Sequence, residues 1–214
     1  MCIRDRPNYY FMKLFLDWAF SNKTELAGTI FGLLSVWFSI RQSLITWPTG
    51  ILTSLLYCAV FFEAKFYAGM VLQLYYLLIS LYGWWNWNHG GSADSGESKL
   101  MISRTSMALW IILFGLNLLF SFVIYYLLRR YTDSPIPFGD AFTTSLSIIA
   151  TWMLARKKIE HWLIWIFVDL FSALLYFYRG LYVTVFLFVI YTLMAVTGFY
   201  EWQKELKSMH NVYQ

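Results

Sequence analysis

The stretch WPTGILTSLLYCAVFFEAKFYAGMVLQLYYLLISLYGWWNW, residues 47–87, is answered by WLIWIFVDLFSALLYFYRGLYVTVFLFVIYTLMAVTGFYEW, residues 162–202. The two align without a gap at an offset of 115 positions, and the register extends back so that Glu25 falls on Asp140. About a dozen positions are identical between 25–87 and 140–202, well above the ~5% per position that chance supplies. They include Trp37 on Trp152, Arg41 on Arg156, Trp47 on Trp162, Tyr67 on Tyr182, Tyr76 on Tyr191, Gly83 on Gly198 and Trp87 on Trp202. Aromatic-rich composition alone would not reproduce the spacing of large residues in this way. The chain is therefore expected to be an internal duplication, and each copy has to be read as a structural unit.

What kind of unit follows from composition. Of the 214 residues 59% are hydrophobic and only 13% charged, and the mean hydropathy is +0.55. A soluble domain carries roughly a quarter charged residues, so this chain could not cover a water-facing surface with ions. At about 20 residues per crossing there is room for seven or eight membrane helices and no separate soluble domain. The net charge of +4 is spread along the chain, which fits basic membrane loops and gives no reason to expect nucleic acid. The two cysteines, Cys2 and Cys58, form neither a disulfide framework nor a CxxC pair. The opening MCIRDRPNYY lacks an apolar core with a cleavage site, and Met12 begins a plausible alternative start.

Charges and turn residues cut the chain into seven apolar spans: 25–40, 47–62, 66–87, 106–128, 141–155, 162–178 and 181–200. Several are short for a bilayer, so flanking Trp and Tyr are expected to extend them. The domain reading is an N-terminal segment 1–24 with first residues of doubtful nativeness, a three-helix repeat 25–87, a loop, linker helix and loop 88–140, a second three-helix repeat 141–202, and a polar tail 203–214. The first helix of one unit lies four crossings from the first helix of the other. The two units should therefore share one orientation, with the single helix between them as the inverting linker, a 3+1+3 parallel repeat. Lys and Arg divide equally between the two membrane faces, and setting aside Arg4 and Arg6 tips the balance toward a cytoplasmic C-terminus.

No catalytic set is present. His89, His161 and His210 are far apart and are read as solvated loop or tail residues, and no nucleophile motif, P-loop or metal-ligand cluster occurs. ATP-driven transport would need a partner chain. The sixth span differs, because Trp162, Trp165 and Asp169 stand at i, i+3 and i+7 and so lie along one helical stripe. A carboxylate within a bilayer span must face a cavity, a partner or water. Beside indole faces it suits a flat organic cation. Packing remains the plain alternative for each: an interfacial anchor for Trp162, a protonated or paired residue for Asp169. Gln73 offers an amide that both donates and accepts, with Tyr76 one turn away. Asn117 is a candidate for the site or for interhelical hydrogen bonding, and Ser54, Ser80, Thr144 and Thr192 are read as packing residues.

The quoted stretches resemble the PnuC family of bacterial nicotinamide riboside (nicotinamide mononucleotide) transporters over nearly all of the chain after residue 25. The resemblance rests on FYA and LQ in the third span, YGWWNW closing it, and WxxW as Trp162 and Trp165. It implies an all-α membrane protein of seven helices in a SWEET-like 3+1+3 arrangement. It also implies passive uptake across the inner membrane of an unphosphorylated precursor for NAD synthesis, trapped inside by a kinase. Family carriers of thiamine and riboflavin make thiamine the alternative substrate. The resemblance carries Gln73, Trp162 and Trp165 to the substrate site. Asp169 departs from it, since an amide is expected there in nicotinamide riboside carriers. No cofactor is implied, and a second copy of the chain is a possible partner. A non-transporting membrane scaffold is the reading from a different class, but a scaffold needs no polar stripe between repeats.

Overall fold

The computed structural model describes residues 23–63, 67–91, 100–133, 136–178 and 180–212. The readings of the leader with Met12, of Cys2, and of most of the loop NHGGSADSGESK lie outside them. Seven α-helices occur among the described residues: α1 (Lys23–Ile40), α2 (Thr46–Glu63), α3 (Tyr67–His89), α4 (Met107–Tyr131), α5 (Pro137–Ala155), α6 (His161–Tyr178) and α7 (Tyr182–Val212). Over its described residues each expected span falls on one helix to within a residue at its start. The segment read as a polar tail continues α7 to Val212 instead of leaving the helix at Tyr200.

Local chemistry sets the helix ends. Ser106 caps α4 by accepting from the Leu109 backbone N–H at 3.3 Å. Pro137 opens α5, where its missing N–H costs nothing. The turn after α1 places Gln42 at φ 51°, and the turn after α5 places Lys157 at φ 47°. Left-handed backbone is uncommon away from glycine. These two residues stand 115 positions apart, and the Lys157 ammonium donates to Gln42 Oε1 at 3.1 Å. Gln42 Nε2 in turn donates to Glu205 on α7.

Helix neighbours define a ring. Among the described residues α1 packs on α2 and α7, α3 on α2 and α5, and α6 on α5 and α7, whereas α4 touches only α5. Six helices thus close around a centre and α4 stands outside. Three helices, Met107–Tyr131, His161–Tyr178 and Tyr182–Met209, are long and apolar enough to cross a membrane by length and composition. On α4 the side chains of Ile111, Phe114, Leu118 and Phe122 are exposed, an apolar surface that suits acyl chains. The remaining helices place Ser39, Thr53, Ser80 and Thr151 in the lining of the ring's interior. At 18 residues each, α1 and α2 still reach about 27 Å at 1.5 Å per residue.

Four buried indoles seal one end of the ring. Trp87 on α3 donates from Nε1 to the Leu154 carbonyl on α5 at 3.1 Å, and Trp202 on α7 donates to the Ser39 carbonyl on α1 at 3.1 Å. Donors and acceptors of these two bonds are both related by the 115-residue offset. Trp47 meets Trp87 edge-on at 5.1 Å, and Trp162 meets Trp202 edge-on at 5.7 Å. Glycine makes both approaches possible: a Cβ on Gly83 would enter the Trp47 ring, and one on Gly198 would stand 2.6 Å from the Trp162 ring. Outside the seal, the Arg41 guanidinium lies over Trp37 at 5.2 Å and that of Arg156 over Trp152 at 5.3 Å.

Candidate functional site

The ring encloses a cavity of about 300 Å³ lined from α1, α2, α3, α5, α6 and α7. Most lining residues come in pairs 115 positions apart. These are Val36 and Thr151, Ser39 and Leu154, Thr46 and His161, Trp47 and Trp162, Gly50 and Trp165, Ser54 and Asp169, Gln73 and Phe188, Tyr76 and Tyr191, and Ser80 and Ala195. The cavity therefore straddles the boundary between the two copies of the duplicated segment.

Trp162, Trp165, Asp169, Gln73 and Tyr76 all line this one cavity. Helical spacing brings the first three together on α6, since residues three and four apart share a face. Trp162 is 3% exposed and packs on Gly198, so the interfacial-anchor alternative does not describe it. Asp169 is 5% exposed, and neither Lys nor Arg stands among the lining residues with it. Among the described residues it is the one carboxyl group of that lining.

Asn117 is not brought to the cavity. It lies buried where α4 meets α5, and its Oδ1 accepts from Ser145 Oγ at 2.8 Å, so the interhelical alternative is the one the geometry carries. The reason is topological: α4 is outside the ring and contributes nothing to its interior.

Other readings also change. His161 is not a solvated loop residue but the fully buried first residue of α6, with Nδ1 2.7 Å from the Lys158 carbonyl. That contact requires the proton on Nδ1 and leaves Nε2 an acceptor in the neutral ring. The imidazole sits between Trp162 and Trp202, at 4.4 and 4.9 Å between ring centres. Its place beside a matched tryptophan pair, on the register of Thr46, is the sequence signal that points to it. Ser54 and Ser80, expected to be packing residues, line the cavity, as do Ser35, Thr53 and Tyr57. Ser35 Oγ donates to the Thr46 carbonyl and Thr53 Oγ1 to the Thr49 carbonyl, each at 2.9 Å. Tyr57 OH and Thr29 Oγ1 are 2.8 Å apart, tying α2 to α1 beside the cavity.

Among the described residues no three His, Cys, Asp or Glu gather to hold a metal ion. What the cavity offers is recognition: three indoles and a phenyl ring for flat groups, a carboxyl group for positive charge, and an amide with several hydroxyls for polar substituents.

Comparison with known proteins bears on what is recognised. The family model described as nicotinamide mononucleotide transporter matches residues 22–204. The nicotinamide riboside transporter PnuC of Escherichia coli (strain K12) is 25% identical over 200 residues, covering 83% of this chain and 84% of that protein. The riboflavin/roseoflavin transporter RibM of Streptomyces davaonensis is 27% identical over 180 residues, with 84% of each chain covered. A crystal structure of the vitamin B3 transporter PnuC shares the fold, with a TM-score of 0.69 at 20% identity over 94% of this chain and 90% of that one. The helical ring, its lipid-suited exterior and a family match that runs from the start of α1 into α7 agree with the resemblance carried by YGWWNW and WxxW. The chain belongs to the nicotinamide mononucleotide transporter family, the PnuC transporters, and is a multi-pass membrane transporter of a small molecule rather than an enzyme.

Proposed function

We propose that this transporter carries nicotinamide riboside across the bacterial inner membrane by facilitated diffusion, supplying NAD synthesis. The substrate sits between two parallel three-helix repeats in a SWEET-like 3+1+3 arrangement, residues 25–87 and 141–202, with α4 as the inverting linker. The paired indole bonds, the paired left-handed turns and the paired cavity walls support the duplication, since each recurs at the same offset. Trp162, Trp165, Asp169, Gln73 and Tyr76 form the site.

The observation that carries this reading is the sign of the cavity. Among the described residues its lining holds one carboxyl group and neither Lys nor Arg beside several aromatic rings, the arrangement that favours a flat cation. Nicotinamide riboside has a cationic pyridinium ring and no phosphate. Its mononucleotide adds roughly −1.5 to −2 charges near neutral pH and would bring them close to Asp169. At low effective dielectric that costs several kcal/mol, and each 1.4 kcal/mol is tenfold in affinity. Asp169 equally suits thiamine, also a cationic ring compound, which is the second reading. The absence of a nucleotide motif from the sequence supports passive transport.

Calorimetry on the detergent-solubilised protein tests the assignment. Expected are micromolar-range binding of nicotinamide riboside, none of the mononucleotide, and at least about tenfold weakening by Trp165→Ala or Gln73→Ala. Equal affinity for riboside and mononucleotide, or unchanged binding in both variants, would remove this site from consideration. Tighter binding of thiamine than of the riboside would transfer the reading to thiamine.

A further inference from the structure

The cavity's paired walls differ at seven of the nine registers, and three of those differences set an aromatic or acidic side chain against a small or hydrogen-bonding residue. The second repeat supplies Trp165, Asp169 and Phe188, whereas the first supplies Gly50, Ser54 and Gln73 at the equivalent positions. At these registers the second repeat presents aromatic rings and a carboxyl group where the first presents small or hydrogen-bonding residues. Ser35 and Thr53 add to the first repeat's hydrogen-bonding character without counterparts among the lining residues. Both donate their hydroxyl protons to backbone carbonyls, which leaves oxygen lone pairs to accept from a ligand's O–H groups.

Gly50 holds the small wall open. A Cβ built there would stand 3.2 Å from Ser80 Oγ and 3.4 Å from Ser35 Oγ, so any larger side chain would occupy the space that those hydroxyls face. Where the other repeat carries the Trp165 indole, the first has no side chain, and its backbone faces the cavity beside the Ser80 and Ser35 hydroxyls.

We propose that Gly50, bordered by Ser35, Ser54 and Ser80, forms a subsite for the polyhydroxylated part of the ligand, and that the missing side chain at residue 50 is what admits a pentose. The inference rests on the riboside reading and goes beyond it. It fixes the ligand's direction in the cavity, ring toward α6 and sugar toward α2, and names the residue that separates a ribosylated ring from the ring alone. The duplicated fold thereby recognises an asymmetric ligand through the registers at which its copies diverged.

The test uses two ligands with the same cationic ring, nicotinamide riboside and 1-methylnicotinamide, titrated into the full chain in detergent. The wild type binds the riboside at least about tenfold more tightly. Gly50→Val reduces that advantage to within about twofold and leaves 1-methylnicotinamide unchanged, whereas Trp165→Ala weakens both ligands. Gly50→Ala, in which alanine is the better helix former, removes part of the riboside advantage and decides the matter should the valine variant not fold. An advantage that survives in the folded Gly50 variants, or equal weakening of both ligands by Gly50→Val, overturns the subsite alone. No riboside binding by the wild type overturns the substrate reading and the subsite with it.

Discussion

Asp169 and Ser54 occupy equivalent positions on α6 and α2, and that single difference places a carboxyl group in the cavity lining. Part of this was legible in the sequence, because a carboxylate one stripe along from WxxW has few structural reasons to be inside a membrane. The hydroxyl groups were not legible. A serine that packs two helices and a serine that faces a ligand look identical in a sequence, and only the ring closure shows Ser54 and Ser80 to be on the inside. His161 was hidden because a histidine beside a basic cluster reads as a loop residue until Trp162 and Trp202 are seen to enclose it. Asn117 shows the reverse, a polar residue within a span whose partner is Ser145 on the next helix. Asn117→Ala should lower stability by about 1 kcal/mol, the scale of a hydrogen bond between membrane helices, and leave riboside affinity within about twofold. Thermal unfolding with calorimetry on the same sample checks both, and a large loss of affinity at unchanged stability would return Asn117 to the site.

The helices themselves were readable from their apolar runs, because charged residues and turn formers punctuate every span. Their ends were less so. α7 runs to Val212 through Glu201, Lys204, Glu205 and Lys207, a stretch whose charges look like a tail although they continue the helix. Gln42, on the α1–α2 turn, donates to Glu205 and holds that extension against the ring. The bonds of Trp87 and Trp202 tie α3 to α5 and α7 to α1, the two contacts at which one repeat meets the other. Since the two bonds are equivalent, Trp87→Phe and Trp202→Phe should destabilise the protein similarly. A lost hydrogen bond and reduced packing together amount to about 1–3 kcal/mol in each. Unfolding temperatures in detergent measure this. A severe loss in one variant with none in the other would show that the two contacts do different work.

At the scale of the whole molecule, a parallel repeat puts the α1–α2 turn and the α5–α6 turn on the same face of the membrane. Cysteines introduced by Ser43→Cys and Lys158→Cys, in a background with Cys2 and Cys58 replaced by serine, should react with a membrane-impermeant maleimide from the same side. Labelling from opposite sides would contradict the parallel arrangement. The duplication was visible because large residues kept their register, but the ring was not. Which helices touch depends on packing between distant segments, and no local pattern encodes that α3 meets α5 while α4 stays outside. With one carboxyl group and neither Lys nor Arg in the described lining, the proposed facilitated diffusion is a prediction about flux, in which an unphosphorylated cation passes and nothing drives it. The most direct measurement is uptake into liposomes containing the purified protein. Nicotinamide riboside should rise inside to the external concentration and stop there, at the same level with or without an imposed proton or sodium gradient, while the mononucleotide stays out. Accumulation above the external concentration under either gradient, or entry of the mononucleotide at the riboside's rate, would contradict the account.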